Sequence, residues 1–405
     1  MHRPAHKSVV ALGFACFVTM LPSIGCDQAE PPQPSPAAMG APADAPQRPN
    51  PAPEPKPEPE PEPEPPKPEP EPTAELEASA SFTDEQRALL MAGEEEVDLP
   101  RPEISYVMSN ESRHDLWFPY IDGVGGAYVG VGSDTNYTLM GYARSEVVFL
   151  VDHDPRIVDV HRIYEILIKA SDEPETLLRH FERDQREATI ALIEAATAGL
   201  PAERQRDLVR TYRAYRETLR RYLSKIRVRR HKGCPSTWLS NPSIYEHVRT
   251  LYQQGRVRIL PGDLRGKTTL PTVITAVRAL DMPVKVLYLS NAEQYFAYTK
   301  NVRINLGTLP AASGGVVLRT IFQAPWEHAD GFWAYQVQDI EDFQRRLGGG
   351  WLKRKLMWSH AEKEGVLEQR TETRGLSRIA VAAPAGLIEA RALTRGTWAG
   401  PCPRP

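Results

Sequence analysis

Gly130 and Gly132 close one short apolar run, and the carboxylates Asp152 and Asp154 close the next. Glycines at the end of a strand let backbone approach a ligand, and an acidic side chain at the tip of the following strand accepts hydrogen bonds from ribose hydroxyls. That is how a nucleoside is held. A lone Gly-x-Gly is weak evidence, but Asp263 follows the next core run and Ser290-Asn291 the one after, so four run ends in order carry polar groups.

Two competing chemistries fail on spacing. Gly266-Lys267-Thr268 sits between a strand and a helix, as a phosphate loop would, but the position five before the Gly-Lys pair is Pro261 and Gly262 comes one step late. Asp152-His153-Asp154, with Asp159 and His161 nearby, has metal-ligand types, yet side chains in a strand alternate faces and His161 belongs to the next helix;. No metal is expected. The chain has no His-Glu-x-x-His, no Gly-x-Ser-x-Gly and no spaced cysteine set, which leaves zinc protease, serine hydrolase and zinc-ribbon readings without support;.

Polar groups at run ends need a sheet to present them. From Ile104 onward short apolar runs alternate with longer helical periods, the pattern of an α/β domain with a largely parallel sheet;. Residues 127–132 read as a strand, 136–143 as a helical crossover and 146–151 as a second strand. A helix follows with Ile157, Val160, Ile163, Tyr164, Leu167 and Ile168 on its apolar face. The same grammar returns at 257–260, in a helix carrying Leu270, Ile274, Val277 and Leu280, in a strand at 284–289 and in another at 314–322. Between the two runs lies a helical insertion, 174–232. Leu208, Tyr212, Tyr215, Leu219, Tyr222 and Ile226 recur at alternating spacings of four and three, so they share a seam;. A first helix over 174–198, broken at Gly199-Leu200-Pro201, should pack on that seam as a helical hairpin, with the tyrosines as packing.

On these residues the core from about Gly126 to Phe322, without the insertion, resembles the class I S-adenosylmethionine-dependent methyltransferases. The resemblance implies a Rossmann-like, seven-stranded sheet with S-adenosylmethionine as the cofactor. Gly130 and Gly132 would lie beside its amino-acid part, Asp152 or Asp154 at the ribose, and Asp263 near the adenine. Ser290, Asn291 and Glu293 would stand where that family often places catalytic or substrate groups. Residues 127–154 and 288–295 also look like an uncharacterised bacterial family of Rossmann-like proteins, which supplies a fold and no established reaction. Two positions depart from the methyltransferase pattern: Tyr128 replaces the acidic residue two before the first glycine, and Asp134 the third glycine. Asp134 would put a negative charge at a helix N-terminus that otherwise receives a carboxylate.

The N-terminus sets the compartment. His2, Arg3, His6 and Lys7 precede an apolar run from Val9 to Leu21, and small residues Ser23 and Gly25 lead into Cys26;. The segment resembles a bacterial lipoprotein signal, in which the cysteine becomes the acylated N-terminus; Ser23 stands where that family prefers leucine. Residues 31–73 hold 19 of the 38 prolines. With interspersed glutamates this stretch should form either an extended tether or a disordered linker, about 3.1 Å per residue in the first case. The expected organisation is a signal at 1–25, a disordered Pro/Glu-rich stalk at 26–82, the α/β domain at 83–365 and a C-terminal extension at 366–405.

Charge is distributed unevenly. Residues 1–100 carry 6 Lys+Arg against 18 Asp+Glu, leaving 43 against 34 for the rest. Residues 204–232 hold twelve Lys+Arg against Asp207 and Glu217. Their crowded end, with Lys225, Arg227, Arg229, Arg230 and Lys232, is placed to meet anionic lipid or an envelope polymer, to pair with the acidic stalk, or to be balanced by nearby acids. Nucleic acid is disfavoured by compartment. Of the four cysteines only Cys234 and Cys402 lie beyond the signal region, as a disulfide or as free thiols;. Two functions remain: a lipid-anchored envelope protein with an altered Rossmann-like site in a binding or structural role, and an active S-adenosylmethionine-dependent methyltransferase.

Overall fold

The computed structural model describes residues 82–97, 99–322, 324, 327–369 and 374–381, all in one compact unit. The expected signal, Cys26, the stalk up to residue 81 and Cys402 lie outside the described residues.

Helix α1 (Asp84–Met91) begins at a capping box in which the Gln86 amide donates to Thr83 and the Thr83 amide donates to the Gln86 side chain;. A stretch with little regular structure leads to α2 (Phe118–Ile121), then β1 (Ala127–Val131), α3 (Thr135–Tyr142), β2 (Val147–Asp152) and α4 (Pro155–Lys169). β1 and β2 are buried at every position, as strands covered on both faces must be, and so show no alternation;. Asp154 caps α4 by accepting from the Arg156 amide, Pro155 pre-sets its first turn, and the expected apolar face is buried;.

The insertion follows as α5 (Pro174–Arg179), α6 (Arg186–Ala196) and α7 (Ala202–Arg227). Its first arm is therefore two helices, where the sequence suggested one. The break is held by the second arm: the Tyr212 hydroxyl and the Arg216 guanidinium of α7 donate to the carbonyls of His180 and Phe181, replacing the helical bonds those groups lack;. On the expected seam Leu208, Tyr212, Leu219 and Ile226 are buried, while Tyr215 and Tyr222 are partly buried against the core. A two-stranded ribbon, β3 (Arg230–His231) with β4 (Cys234–Pro235), closes the insertion.

The chain continues through α8 (Pro242–Gln253), β5 (Val257–Pro261), α9 (Thr269–Ala279), β6 (Val284–Ser290), α10 (Lys300–Gly307), β7 (Ala311–Ile321), β8 (Ala334–Asp339), α11 (Ile340–Gly348), α12 (Arg354–Lys363), β9 (Leu367–Glu368) and β10 (Leu376–Ile379). One sheet of eight strands results, in the order β5-β2-β1-β6-β7-β8-β10-β9. The first five run parallel; β8 is antiparallel to β7, β10 is parallel to β8, and β9 is antiparallel to β10. The fold is a Rossmann-like α/β fold with a largely parallel sheet. It has eight strands where the resemblance implied seven, and β9 and β10 come from the segment 366–405, expected as an extension.

Strand order steps outward from β1 to β5 on one side and from β6 to β7 on the other. The carboxyl ends of β1 and β6 therefore flank a topological switch point, where open α/β sheets take their ligands;. Alternate strand residues feed two cores. Tyr128, Val148, Leu150 and Tyr288 join residues of α3, α4, α7 and α8 on one face. Val129, Phe149, Leu287 and Val317 join residues of α1, α9, α10 and α11 on the other.

Candidate functional site at the carboxyl edge

The β1–α3 turn brings the expected residues together and uses them internally. A side chain at Gly130 would collide with Asn136 Oδ1 and lie 2.6 Å from the Tyr128 ring, because the Tyr128 hydroxyl donates to Asn136 Oδ1 (2.8 Å) across the glycine. Gly130 thus makes room for Asn136. The Asn136 amide donates to the carbonyls of Val131 (3.0 Å), Gly132 (3.2 Å) and Ser133 (2.7 Å), gathering the turn around itself. Gly132 has φ +82°, needs to be glycine for that reason, and keeps open space where a side chain would stand;.

Asp152 lies at the tip of β2 beside that turn. One oxygen accepts from the Gly132 amide (2.9 Å), the other from the Asp154 amide (2.8 Å), and His153 adds an ion pair at 3.4 Å. Asp154 is spent on capping α4. His161 comes from that helix and donates from Nε2 to the Gly132 carbonyl (2.8 Å), while its Nδ1 faces the Tyr137 hydroxyl at 2.7 Å. Burial holds His161 below its ordinary pKa, as suits a neutral ring with one donor and one acceptor nitrogen;. Asp134 is buried and accepts from the Trp238 indole (3.2 Å), so it ties the segment after β4 to the start of α3. Burial pushes its carboxyl up, partly offset by the Tyr222 hydroxyl and that indole.

At β5 the edge is filled from the N-terminal side. Glu96 accepts from the amides of Asp263 (3.0 Å) and Thr269 (3.4 Å), and a side chain at Gly266 would collide with its carboxylate. The Gly266-Lys267-Thr268 turn therefore wraps a carboxylate of its own chain. Asp263 is paired with Arg265 at 2.9 Å; partial burial raises its carboxyl, and the Arg265 side chain and amide outweigh this and hold it low. The strap carrying Glu96 is pinned by the Arg258 guanidinium, which donates to the carbonyls of Leu90 (2.8 Å) and Ala92 (2.5 Å).

The β6–β7 part of the edge centres on Glu111, which is 2% exposed and has no counterpart among the sequence candidates. It accepts from the hydroxyls of Tyr288 (2.8 Å), Ser290 (2.7 Å) and Thr320 (2.8 Å), with His114 Nε2 at 3.6 Å. Burial, then the Glu111 charge, hold the Tyr288 phenol well above its ordinary pKa, so it remains a donor. Ser290 adopts φ +47°, a strained conformation for a residue with a side chain, and aims its hydroxyl at Glu111;. His114 faces the carboxylate and the Thr135 hydroxyl (3.4 Å); the Ser290 hydroxyl is bonded to a carboxylate and has no imidazole partner.

The other two catalytic candidates go elsewhere. Glu293 points to the opposite face, where it pairs with Arg319 at 2.6 Å, both side chains 0% exposed, and accepts from the Tyr298 hydroxyl. Arg319 also donates to Gln336 (2.9 Å) and Gln338 (2.6 Å). Asn291 reaches the Tyr295 hydroxyl, at 3.4 Å, and no other side chain among the described residues. Glu111 and Arg319 escaped detection because the first lies in a segment without period and the second reads as one residue of a strand.

In the basic hairpin Arg227 pairs with Glu175, Arg229 donates to the Glu111 carbonyl (3.4 Å) and Arg230 to the Ser240 carbonyl (3.3 Å). Lys225 and Lys232 are exposed. Cys234 is disulfide-bonded, and the three other cysteines lie outside the described residues. Among the described residues no group of three or more His, Cys, Asp or Glu is placed to hold a metal ion, and no helix is long and apolar enough to cross a membrane.

Fold and edge define a Rossmann-like protein whose switch point is lined by its own polar side chains. The model of a family described as a domain of unknown function (DUF7790) matches residues 106–380, and the chain belongs to that family. The matched span contains the whole sheet and Glu111, and leaves out α1 and Glu96. No curated protein matches the chain.

Proposed function

We propose that the protein is a lipid-anchored component of the bacterial envelope whose Rossmann-like domain is a binding or structural body with an altered ligand site, carried on a stalk from Cys26. The observation that supports this best is the internal use of the carboxyl edge. An S-adenosylmethionine molecule bound in the implied way needs free backbone beside Gly130 and a free carboxylate at the tip of β2. Asn136 fills the first place and the Gly132 and Asp154 amides occupy the second. The implied cofactor therefore fits these residues poorly. A disulfide at Cys234 agrees with an oxidising compartment outside the cytoplasm;. The cations at the end of α7 that remain exposed, Lys225, Arg230 and Lys232, suit contact with anionic lipid or polymer;.

The methyltransferase reading retains one point in its favour, the convergence of Gly130, Gly132, Asp152 and Asp154 at one edge. Thermal unfolding of the full chain with S-adenosylmethionine or its demethylated product separates the two. A bound ligand at about a hundred times its Kd stabilises by roughly 2.7 kcal/mol. The proposal expects no shift at millimolar ligand, and a shift of that size would restore the transferase. The anchor is tested by the mass of the N-terminal peptide: acyl chains on Cys26 are expected, and an unmodified Cys26 in cells would remove it.

A further inference from the structure

The chain carries a second cationic surface, on segments the sequence did not single out. Residues 295–310 and 348–361 contain five Lys+Arg and no Asp or Glu. They are joined in space: the Tyr298 amide donates to the Leu352 carbonyl (2.8 Å), and Gln344 of α11 donates to the carbonyls of Leu306 (3.1 Å) and Leu309 (2.7 Å) behind α10. Three of the five, Lys300, Lys353 and Lys355, are exposed and in no ion pair among the described residues; Arg303 donates to the Tyr298 carbonyl (3.4 Å), and Arg354 turns inward, donating to the Thr320 carbonyl (3.5 Å) and lying over the Trp358 ring. Beside them stand exposed apolar side chains, Tyr295 at 70%, Leu352 at 55%, Ile304 at 48% and Leu356 at 47%.

Exposed apolar groups interleaved with unpaired cations are costly in water and favourable at the boundary of an anionic bilayer. There the apolar groups enter the acyl region and the cations stay among the headgroups. A protein partner would need a concentrated acidic surface with apolar pockets to match, whereas an anionic membrane presents both layers everywhere. We propose that this face, built from the start of α10 and the α11–α12 loop, is a docking surface for an anionic lipid bilayer. It rests on the reading of a membrane-anchored protein and adds to it. The anchor holds the domain near the membrane, and this face sets which side meets it.

The test uses the full chain with Cys26→Ser, so that no acyl chain contributes, in co-sedimentation with phosphatidylglycerol-containing and purely zwitterionic vesicles. Binding is expected only to the former. Lys353→Glu/Lys355→Glu should weaken it well over tenfold, since each cation near the surface contributes about fivefold. Leu352→Ser should lower the fraction that survives high salt. Lys225→Glu/Lys232→Glu on the other basic surface should cost less. These five positions are exposed, and unchanged unfolding temperatures verify the fold. Absence of binding, or binding indifferent to Lys353 and Lys355, overturns the proposal. The mass of the Cys26 peptide is read separately, so an acylated protein with an inert face rejects this surface alone, and an unacylated one that still binds rejects only the anchor.

Discussion

At the tips of β1 and β2 the side-chain bonds of Asn136, Asp152 and His161 join residues 2 to 29 positions apart, among them Asn136 to Val131, Gly132 to Asp152 and His161 to Gly132, and Trp238 to Asp134 adds one across 104. At the tips of β6 and β7 Glu111 reaches Tyr288, Ser290 and Thr320 across 177, 179 and 209 positions. One half of the edge is tied mainly by neighbours folding back on a turn. The other is tied by a segment that must first cross the sheet. The same place in the fold is thus filled in two ways, and the halves differ in what a single change can remove. Losing one partner of a short-range turn leaves the others in place, whereas losing a buried carboxylate strands several groups at once.

The sharpest break is at Glu293. Glu293→Ala leaves the Arg319 guanidinium buried without its counter-charge, and urea unfolding should show a loss of about 3–5 kcal/mol. A loss under about 1 kcal/mol would show that the amides of Gln336 and Gln338 suffice to hold that charge. Glu111→Ala should follow at roughly 2–4 kcal/mol, because the buried Tyr288 and Thr320 hydroxyls and the half-buried Ser290 hydroxyl lose their acceptor together;. Glu111→Gln, which keeps an acceptor oxygen, should recover part of it.

Acid separates the halves differently. His247 donates to the Ser145 carbonyl just before β2, and burial, helped by the Arg144 charge, holds it at about 4. A histidine depressed below its unfolded value of 6.5 contributes stability that is fully present above pH 6.5 and lost as pH falls through about 4;. His161, also depressed, acts in the same direction at the Gly132 turn. Between pH 7 and 4 the His247 contribution should fall by up to roughly 3 kcal/mol. Comparing the unfolding free energy of His247→Gln with the parent at both pH values measures it, and equal pH slopes would remove His247 as the cause.

The smallest effect expected is at Gly130. Gly130→Ala forces Asn136 aside and should cost about 1–3 kcal/mol by overpacking. Combined with Asn136→Gly the losses should sum to less than the two taken separately, since the second change removes the nearest obstacle and leaves the Tyr128 ring;. Strict additivity would mean that the glycine serves something other than Asn136.

The contrast between the halves also marks how far the sequence could be read. Strands 127–131, 147–152, 257–261 and 284–290 were legible because buried parallel strands are continuous apolar runs bounded by polar residues;. The helix after Asp154 was legible from its period and from the Asp-Pro start;. Gly130, Gly132, Asp152 and Asp154 were placed at one edge correctly, since run order and strand ends decide that much. Ser290 and Glu293 were grouped because the methyltransferase resemblance implies catalytic or substrate groups after that strand; the turn after β6 sends them to opposite faces, which the resemblance does not foresee. The basic count of residues 204–232 was accurate as a count. Its field was not legible, because Glu175 and several backbone carbonyls that take up its arginines come from other parts of the chain.

By itself the sequence determined the class of fold, the order of the strand ends and the composition of a proline-rich acidic segment ahead of a basic body. These follow from local rules, in which burial sets hydrophobic period and proline and glycine set backbone freedom. Only the tertiary structure decided what the strand ends face. Whether a polar group at this edge is free for a ligand or already bonded depends on residues far along the chain, as with Glu111 and Glu96. Hydrogen-bonding capacity is spent across space, and sequence distance carries no record of where.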